Sequence, residues 1–462
     1  MSGRSESGTR PQGPAFKLFV ARLHLFAGLL VGPFLFAAAL TGVLYAATPE
    51  IEAHLYRGAL RTESLGTPRT LAEQAEAAIA HAGPETPLLG IRPATEEGAT
   101  TRVLFSDPSL GASRSRAVFV DPVTLAIRGD LTAYGSSGIL PFRTALDEMH
   151  RSLLLGEPGR LYSELAASWL WILALGGIAL WIWRRAWRPA PSPALRVRRR
   201  HGTTGVTIAA GLLFLSATGL TWSGWAGGRI DALRSATGWT TPSVSLALDG
   251  AAPVAPAGEH AHHGMDGMAP EPGPAPHEPA TDLDRVLSAA RAGGLQSAFV
   301  EIRVPKPGQA WLVREYDRSW PTDVDTLAID PRSLAITDRA DFASFPLVAK
   351  LIQWGIAAHM GVLFGLANRL VLAALGLALA TTILYGYRIW WRGRPRGTGR
   401  TLAESWLDLG AGLRALTLAL AVILGWALPM VGLSLAAFAL VDALRFRLAR
   451  RAVRGSPAEA RG

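Results

Sequence analysis

The chain of 462 residues contains no cysteine. That excludes disulfides, thiolate-bound iron–sulfur clusters and thioether attachment of a c-type haem. No G-x-G-x-x-G follows a strand-like run and no P-loop is present, so the chain has no nicotinamide or ATP site of its own. No serine or cysteine nucleophile motif stands out. Charge is missing from several runs of about 20 apolar residues, the length that spans the hydrocarbon core of a bilayer. The residues are 49% hydrophobic, concentrated in those runs, and the net charge is +10. The basic residues sit in short loops beside the apolar runs, which reports orientation across a membrane and not nucleic-acid binding. The first apolar run is too long for the core of a signal peptide and recurs later in the chain, so it reads as a span.

Taken in order, residues 1–16 are polar and Gly/Pro/Ser-rich and are expected to be a disordered cytoplasmic start. A first span (17–46) leads to an exported block (47–140), in which 69–82 has helical spacing of Leu71, Ala75 and Ile79. Strand-like runs LLGIRP, TTRVLFS, RAVFVD and VTLAIRG follow, the last after an Asp121-Pro122 turn. An interfacial helix and second span (141–184) end at a basic loop (185–200), whose arginines place it in the cytoplasm. A third span (201–223) leads to a second exported block (224–345). It holds TDLDRVLSAARA as a helix and FVEIRV, QAWLVREY, TDVDTLAID and SLAIT as strands. An interfacial helix and fourth span (346–392), a cytoplasmic loop (393–410), a two-pass hairpin (411–444, divided at Pro429) and a basic cytoplasmic tail (445–462) complete the chain. The expectation is six spans with both termini inside.

The chain repeats itself. HLFAGLLVGPFLFAAALTGVLYA from His24 aligns without a gap on HGTTGVTIAAGLLFLSATGLTWS from His201, 177 residues on, matching Gly28 to Gly205 and Thr41-Gly42 to Thr218-Gly219. At an offset of 209, His150 matches His359, Asp121-Pro122 matches Asp330-Pro331, Gly156 matches Gly365, Arg160 matches Arg369 and Trp181 matches Trp390. The change of offset places an insertion of linker composition at 250–280. The expected fold is therefore a mainly α membrane protein made of tandem span–exported domain–span units, with two α+β exported domains and a C-terminal hairpin. A unit with an even number of spans keeps its orientation, so the copies relate by a pseudo-twofold axis along the membrane normal.

Four of the ten histidines follow this repeat. His24 and His201 start outgoing spans on the cytoplasmic side, and His150 and His359 precede incoming spans on the outer side. One histidine near a membrane interface is ordinarily an interfacial polar residue. Four, matched by repeat and by leaflet, are functional candidates. An axis that brings equivalent residues together gives each pair two imidazoles for the axial positions of one haem iron, with no thioether bond needed. Gly28, Gly32, Gly205 and Gly211 leave room for a porphyrin, although by themselves they read as helix-packing residues. His54 and His81 have no counterparts and read as surface residues.

The HLFAGL and TGVLY span, the MHRSLLLGEPGR and AHMGVLFGLANR stretches, the FVDPVTLAI and AIDPRSLAI strands and the closing WIWRR and RIWWR resemble the PepSY-associated transmembrane family. The resemblance covers about residues 15–395. It implies a bacterial inner-membrane protein with periplasmic PepSY domains and haem-dependent transfer of electrons to a periplasmic ferric complex such as a siderophore. The electron donor would be quinol or a separate cytoplasmic reductase, and two b haems per chain would be held by His24 with His201 and by His150 with His359. The alternatives are reduction of cupric ion or another periplasmic substrate, and a non-enzymatic PepSY module that binds or restrains a partner. His260, His262, His263, Met265, Met268 and His277 lie in the insertion. That set suits copper, while its composition equally suits a plain linker. Trp169, Trp171, Trp181, Trp183, Trp187, Trp390 and Trp391 cluster near span ends, as an aromatic belt does.

Overall fold

The computed structural model describes residues 12–183, 193–248, 278–393 and 401–454. The first half runs through helices α1 (Gln12–Ala46), α2 (Thr48–Leu55), α3 (Arg57–Leu60) and α4 (Leu71–Ala82). Strands β1 (Leu88–Arg92), β2 (Thr101–Phe105), β3 (Arg114–Val120) and β4 (Ile127–Tyr134) follow, then helices α5 (Pro141–Ser152) and α6 (Gly156–Trp183). The second half runs through α7 (Pro193–Thr221), α8 (Trp225–Thr237), α9 (Leu283–Ala292), β5 (Val300–Arg303), β6 (Trp311–Glu315), β7 (Thr326–Ile329) and β8 (Ile336–Ala340). It continues through α10 (Leu347–His359) and α11 (Gly365–Arg392), and closes with α12 (Leu402–Leu407), α13 (Ala411–Ala427) and α14 (Pro429–Arg454). Two units emerge: a helical one (Met1–Val43, Glu148–Leu233, Val371–Gly462) and a sheet-containing one (Leu44–Asp147, Arg234–Leu370).

In the helical unit, Ala27, Val31 and Leu35 of α1, Trp169 and Leu170 of α6, Leu212 of α7 and Leu379 of α11 share one core with Val431 of α14. Small residues permit close approach where packing rather than water exclusion must hold helices together. A Cβ on Gly376 of α11 would come within 3.1 Å of the Ala39 carbonyl, and Gly425 and Gly432 face each other across α13 and α14. Trp169 Nε1 donates to Ser434 Oγ at 2.8 Å, fastening α6 to α14. Among the described residues four helices are long and apolar enough to cross a membrane, within α1, α6, α7 and α11. The apolar parts of α13 and α14 are shorter, Ala411–Ala427 and Pro429–Leu444. At about 1.5 Å per residue each falls short of the hydrocarbon thickness, so two of the six expected spans do not reach full length.

In the sheet unit the two exported blocks are not two separate sheets. They form one eight-stranded antiparallel sheet in the order β4-β3-β2-β1-β5-β6-β7-β8. The seam is short: Gly90 pairs with Arg303, Ile91 pairs with Ile302, and the Val304 N–H donates to the Leu89 carbonyl at 3.0 Å. One sheet face carries α4 and α9. Ala75, Ala78, Val286 and Ala290 of those helices are fully buried with Ile91, Val103, Ile302 and Val313. Alternation along the strands puts Arg92, Arg102, Glu301, Arg303 and Arg314 on the opposite face. There Glu301, fully buried, accepts from Arg92 (2.5 Å), Arg303 (2.5 Å) and Arg314 (3.0 Å). Arg92 also donates to the Ser136 and Ser137 carbonyls.

The Asp-Pro turns are built twice in the same way. Asp121 Oδ1 accepts from the Val123 and Thr124 N–H groups, and Asp330 Oδ1 from those of Arg332 and Ser333. Leu125 and Leu334, 209 residues apart, both take the left-handed backbone region, at φ 64° and 59°. These turns correct two strand assignments. VTLAIRG and SLAIT were expected to be extended from their first residues. The aspartate-anchored turn instead takes Val123–Ala126 and Ser333–Ala335, delaying β4 to Ile127 and β8 to Ile336.

Other boundaries also move. α1 begins at Gln12, inside the stretch expected to be disordered. α7 begins at Pro193, so Arg196–Arg200 lie on a helix rather than in a loop, with Val197 buried between them. The good helix propensity of arginine permits this extension. α14 continues to Arg454 into the expected tail, and α2, α3, α8 and α12 were not anticipated.

Removing the Glu301 charge would leave three guanidinium groups on the buried face uncompensated. We expect Glu301→Gln to lower unfolding stability by about 3 kcal/mol, read by denaturant titration. The three arginines hold the Glu301 carboxyl well below its ordinary value of 4.5 against the opposing effect of burial. Its folded value is depressed, so its contribution is complete above pH 4.5 and is lost as pH falls through the folded value. A wild type and variant that lose stability in parallel on acidification would contradict this role.

Candidate functional site

His24 on α1 and His201 on α7 lie together in the helical unit, with ring centroids 6.2 Å apart and planes at 81°. The packing around both rings is set by glycine. A Cβ at Gly177 of α6 would stand 3.3 Å from His24 Cε1, and one at Gly176 would stand 3.5 Å from its Nδ1. A Cβ at Gly386 of α11 would stand 3.5 Å from His201 Cε1. Residues 177 and 386 are separated by the repeat offset of 209, so each histidine meets the equivalent glycine of its own half.

His201 Nδ1 lies 2.9 Å from the Thr382 carbonyl oxygen. A carbonyl only accepts, so Nδ1 carries the proton and Nε2 keeps its lone pair, which is the metal-binding form of the ring. Two imidazoles are a donor set that would suit a haem iron better than a bare ion, which asks for more protein ligands. Among the described residues no group of three or more His, Asp or Glu is arranged to hold a metal.

His150 closes the last turn of α5, against α1 and α6. Its Nδ1 lies 2.9 Å from Thr41 Oγ1, and Thr41 in turn donates to the Ala37 carbonyl at 2.8 Å. With the hydroxyl proton directed at Ala37, Oγ1 accepts and the histidine again holds its proton on Nδ1. The Tyr162 hydroxyl donates to the His150 carbonyl, and Gly42 leaves the space beside Cε1. Burial pushes the His150 imidazole below its ordinary value, with the Ala38 carbonyl opposing, which favours the neutral ring. His359, the last residue of α10, belongs to the sheet unit. The structure thus brings His24 and His201 together, while His150 and His359 fall in different units. The tract from His260 to His277 lies outside the described residues. His81 is partly exposed and pairs with Asp130 at 3.1 Å, as befits a surface residue.

Four contributors went unnoticed in the sequence. Gly177 and Gly386 were detectable, because the same offset that matches the histidines matches them. Tyr162 carries no signal, since Val371 occupies the matching position. Glu164, almost wholly buried in α6, was visible as an acid inside an apolar run. It accepts from the Trp225 and Ala226 N–H groups at 2.9 and 3.0 Å, capping the start of α8.

Four membrane-length helices together with an antiparallel sheet make this a multi-pass membrane protein in contact with lipid. The chain belongs to the family described as the PepSY-associated TM region, whose model matches residues 21–393 and ends before α12. No curated protein matches the chain.

Thr41→Val would strip the acceptor from a buried imidazole N–H, and we expect a loss of about 1–3 kcal/mol, seen as a lower melting temperature in detergent. Thr41→Ser should retain most of it. A Val variant that melts with the wild type would mean that the Ala38 carbonyl suffices for the ring.

Proposed function

We propose that the protein is a di-haem b reductase of the bacterial inner membrane, passing electrons from the cytoplasmic side to a periplasmic ferric chelate of the siderophore type. The observation that carries the reading is the His24–His201 pair: two rings brought together from two spans, each relieved by the equivalent glycine. The tandem repeat and its pseudo-twofold axis extend the reading to His150 and His359 as the outer pair. Both termini and the basic segment around Arg196–Arg200 are assigned to the cytoplasm by the positive-inside rule.

Bound haem supplies a one-electron couple. The chain's part is to fix the ligand rings and exclude water. The Thr382 carbonyl and Thr41 hydroxyl hold His201 and His150 with their lone pairs on Nε2, and the helical core around α1, α6, α7 and α11 keeps the inner site apolar. One electron per iron converts a ferric chelate to its ferrous form. The donor would be quinol or a separate cytoplasmic reductase, consistent with the missing nucleotide motifs.

A reduced-minus-oxidised visible spectrum and haem quantification on purified protein test this. We expect a low-spin b-type signal and about two haems per chain. His24→Ala or His201→Ala should remove one haem, and His150→Ala or His359→Ala the other. Protein purified without haem would overturn the reductase reading. Losses that group His24 with His150 would overturn the pairing alone.

A further inference from the structure

The sheet unit carries a run of exposed apolar side chains that its own core does not explain. On α10, Leu347 (67% exposed) and Leu351 (54%) stand four residues apart on one side, while Ala349, Ile356 and Ala357 are buried; Trp354, partly buried against Phe342 at 5.8 Å, borders the exposed pair. Trp354 packs on Trp320, with centroids 5.4 Å apart, and Trp320 packs on Phe364 at 6.1 Å. Trp320 and Phe364 are each 57% exposed. Trp320 lies in the β6–β7 connection, and its backbone N–H donates to the Leu363 carbonyl at 2.8 Å, which ties this loop to the turn between α10 and α11.

Phe364 directly precedes α11, whose first residues, Gly365–Leu370, belong to the sheet unit. Leu366, Leu370, Leu377 and Leu384 are all more than half exposed, and their spacing of four and seven residues puts them on one side of the helix. α11 is a membrane-length helix, so that side meets lipid. The loop around Trp320 has the opposite character, with Asp317, Arg318, Asp323 and Asp325 within five residues of the ring. An indole flanked by charges and standing at the end of a lipid-facing stripe suits the headgroup level. There its apolar body is buried and its polar edge stays wet.

We propose that Trp320 is a membrane anchor of the sheet unit: with Phe364 and the Leu347–Leu351 side of α10 it sits in the headgroup region of the bilayer that α11 crosses. The anchor fixes the depth of α10, whose last residue is His359, and it stands whether or not that histidine binds haem. A bilayer is favoured over a protein partner because Phe364 leads directly into α11, a helix of membrane length whose first exposed apolar residues, Leu366 and Leu370, belong to the same unit.

The absence of cysteine makes the test direct. Single cysteines at positions 320, 351, 377 and 336, nitroxide-labelled in the full chain in phosphatidylcholine nanodiscs, report collisions with oxygen and with a water-soluble nickel chelate. Ile336 on β8 serves as the aqueous reference and Leu377 as the lipid reference. We expect labels at 320 and 351 to favour oxygen over nickel, between the two references, and Trp320→Ala to shift the 351 label towards nickel. Labels at 320 and 351 as open to nickel as position 336 would overturn the proposal. Labels shielded from both reagents, with spin–spin broadening between copies, would overturn it in favour of a second copy of the chain. The 351 label, with Trp320 intact, decides the matter if Trp320→Cys does not fold.

Discussion

The sheet unit depends on the seam where β1 meets β5. Two register pairs and one further backbone hydrogen bond are too few to define one sheet by backbone pairing alone. On one face, Ile91 and Ile302 are fully buried beneath α4 and α9. On the other, Glu301 from the second block accepts from Arg92 of the first and from Arg303 and Arg314 of its own block. Asp284 of α9 adds a third link by accepting from the Leu71 and Ala72 N–H groups at the start of α4. A buried ion pair is weak evidence of net stability but strong evidence of register. Sliding β5 by one residue would turn Glu301 into the apolar layer and Ile302 onto the arginines. The seam therefore selects one pairing of the two blocks and, among the described residues, leaves β4 and β8 at the edges of the sheet.

The helical unit is governed by a different constraint, since lipid gives no hydrophobic drive for helix association. Its polar groups must be satisfied within the bundle. Glu164 does this for the first N–H groups of α8, Trp169 for Ser434, and Tyr162 for the carbonyl at the end of α5. Each contact fixes a helix end or a helix pair. The space around the histidines is made by leaving side chains out, at Gly42, Gly176, Gly177 and Gly386.

Local signals made the helical spans, α4, α9 and most strands legible, because 3.6-residue and two-residue periodicity act within one element. The repeat made the His24–His201 pairing legible, because equivalence under an axis needs no knowledge of side-chain positions. The fusion of two exported blocks into one sheet was not legible. β1 and β5 lie more than 200 residues apart, and an unpaired strand edge leaves no mark on hydropathy. Val123–Ala126 misled for a physical reason: β-branched residues favour a strand, but two N–H bonds to Asp121 Oδ1 outweigh that propensity. Arg196–Arg200 misled because charge reads as loop, although arginine extends a helix as well as most residues do.

The two halves share a frame but not its details, and the differences fall at the histidines. Thr41 and Thr218 make the same back-bond, to Ala37 and Phe214, four residues earlier in each helix. Thr41 then also holds His150, and Tyr162 grips the same residue's carbonyl. At the position matching Tyr162 the second half has Val371, which has no hydroxyl to offer. His359 lies at the end of α10 instead, where Asn368 donates to the neighbouring Ala358 carbonyl at 2.9 Å. The two histidines related by duplication thus stand in different surroundings: hydroxyls from two spans meet the His150 ring and carbonyl, whereas an amide at the start of α11 holds the carbonyl of the residue before His359.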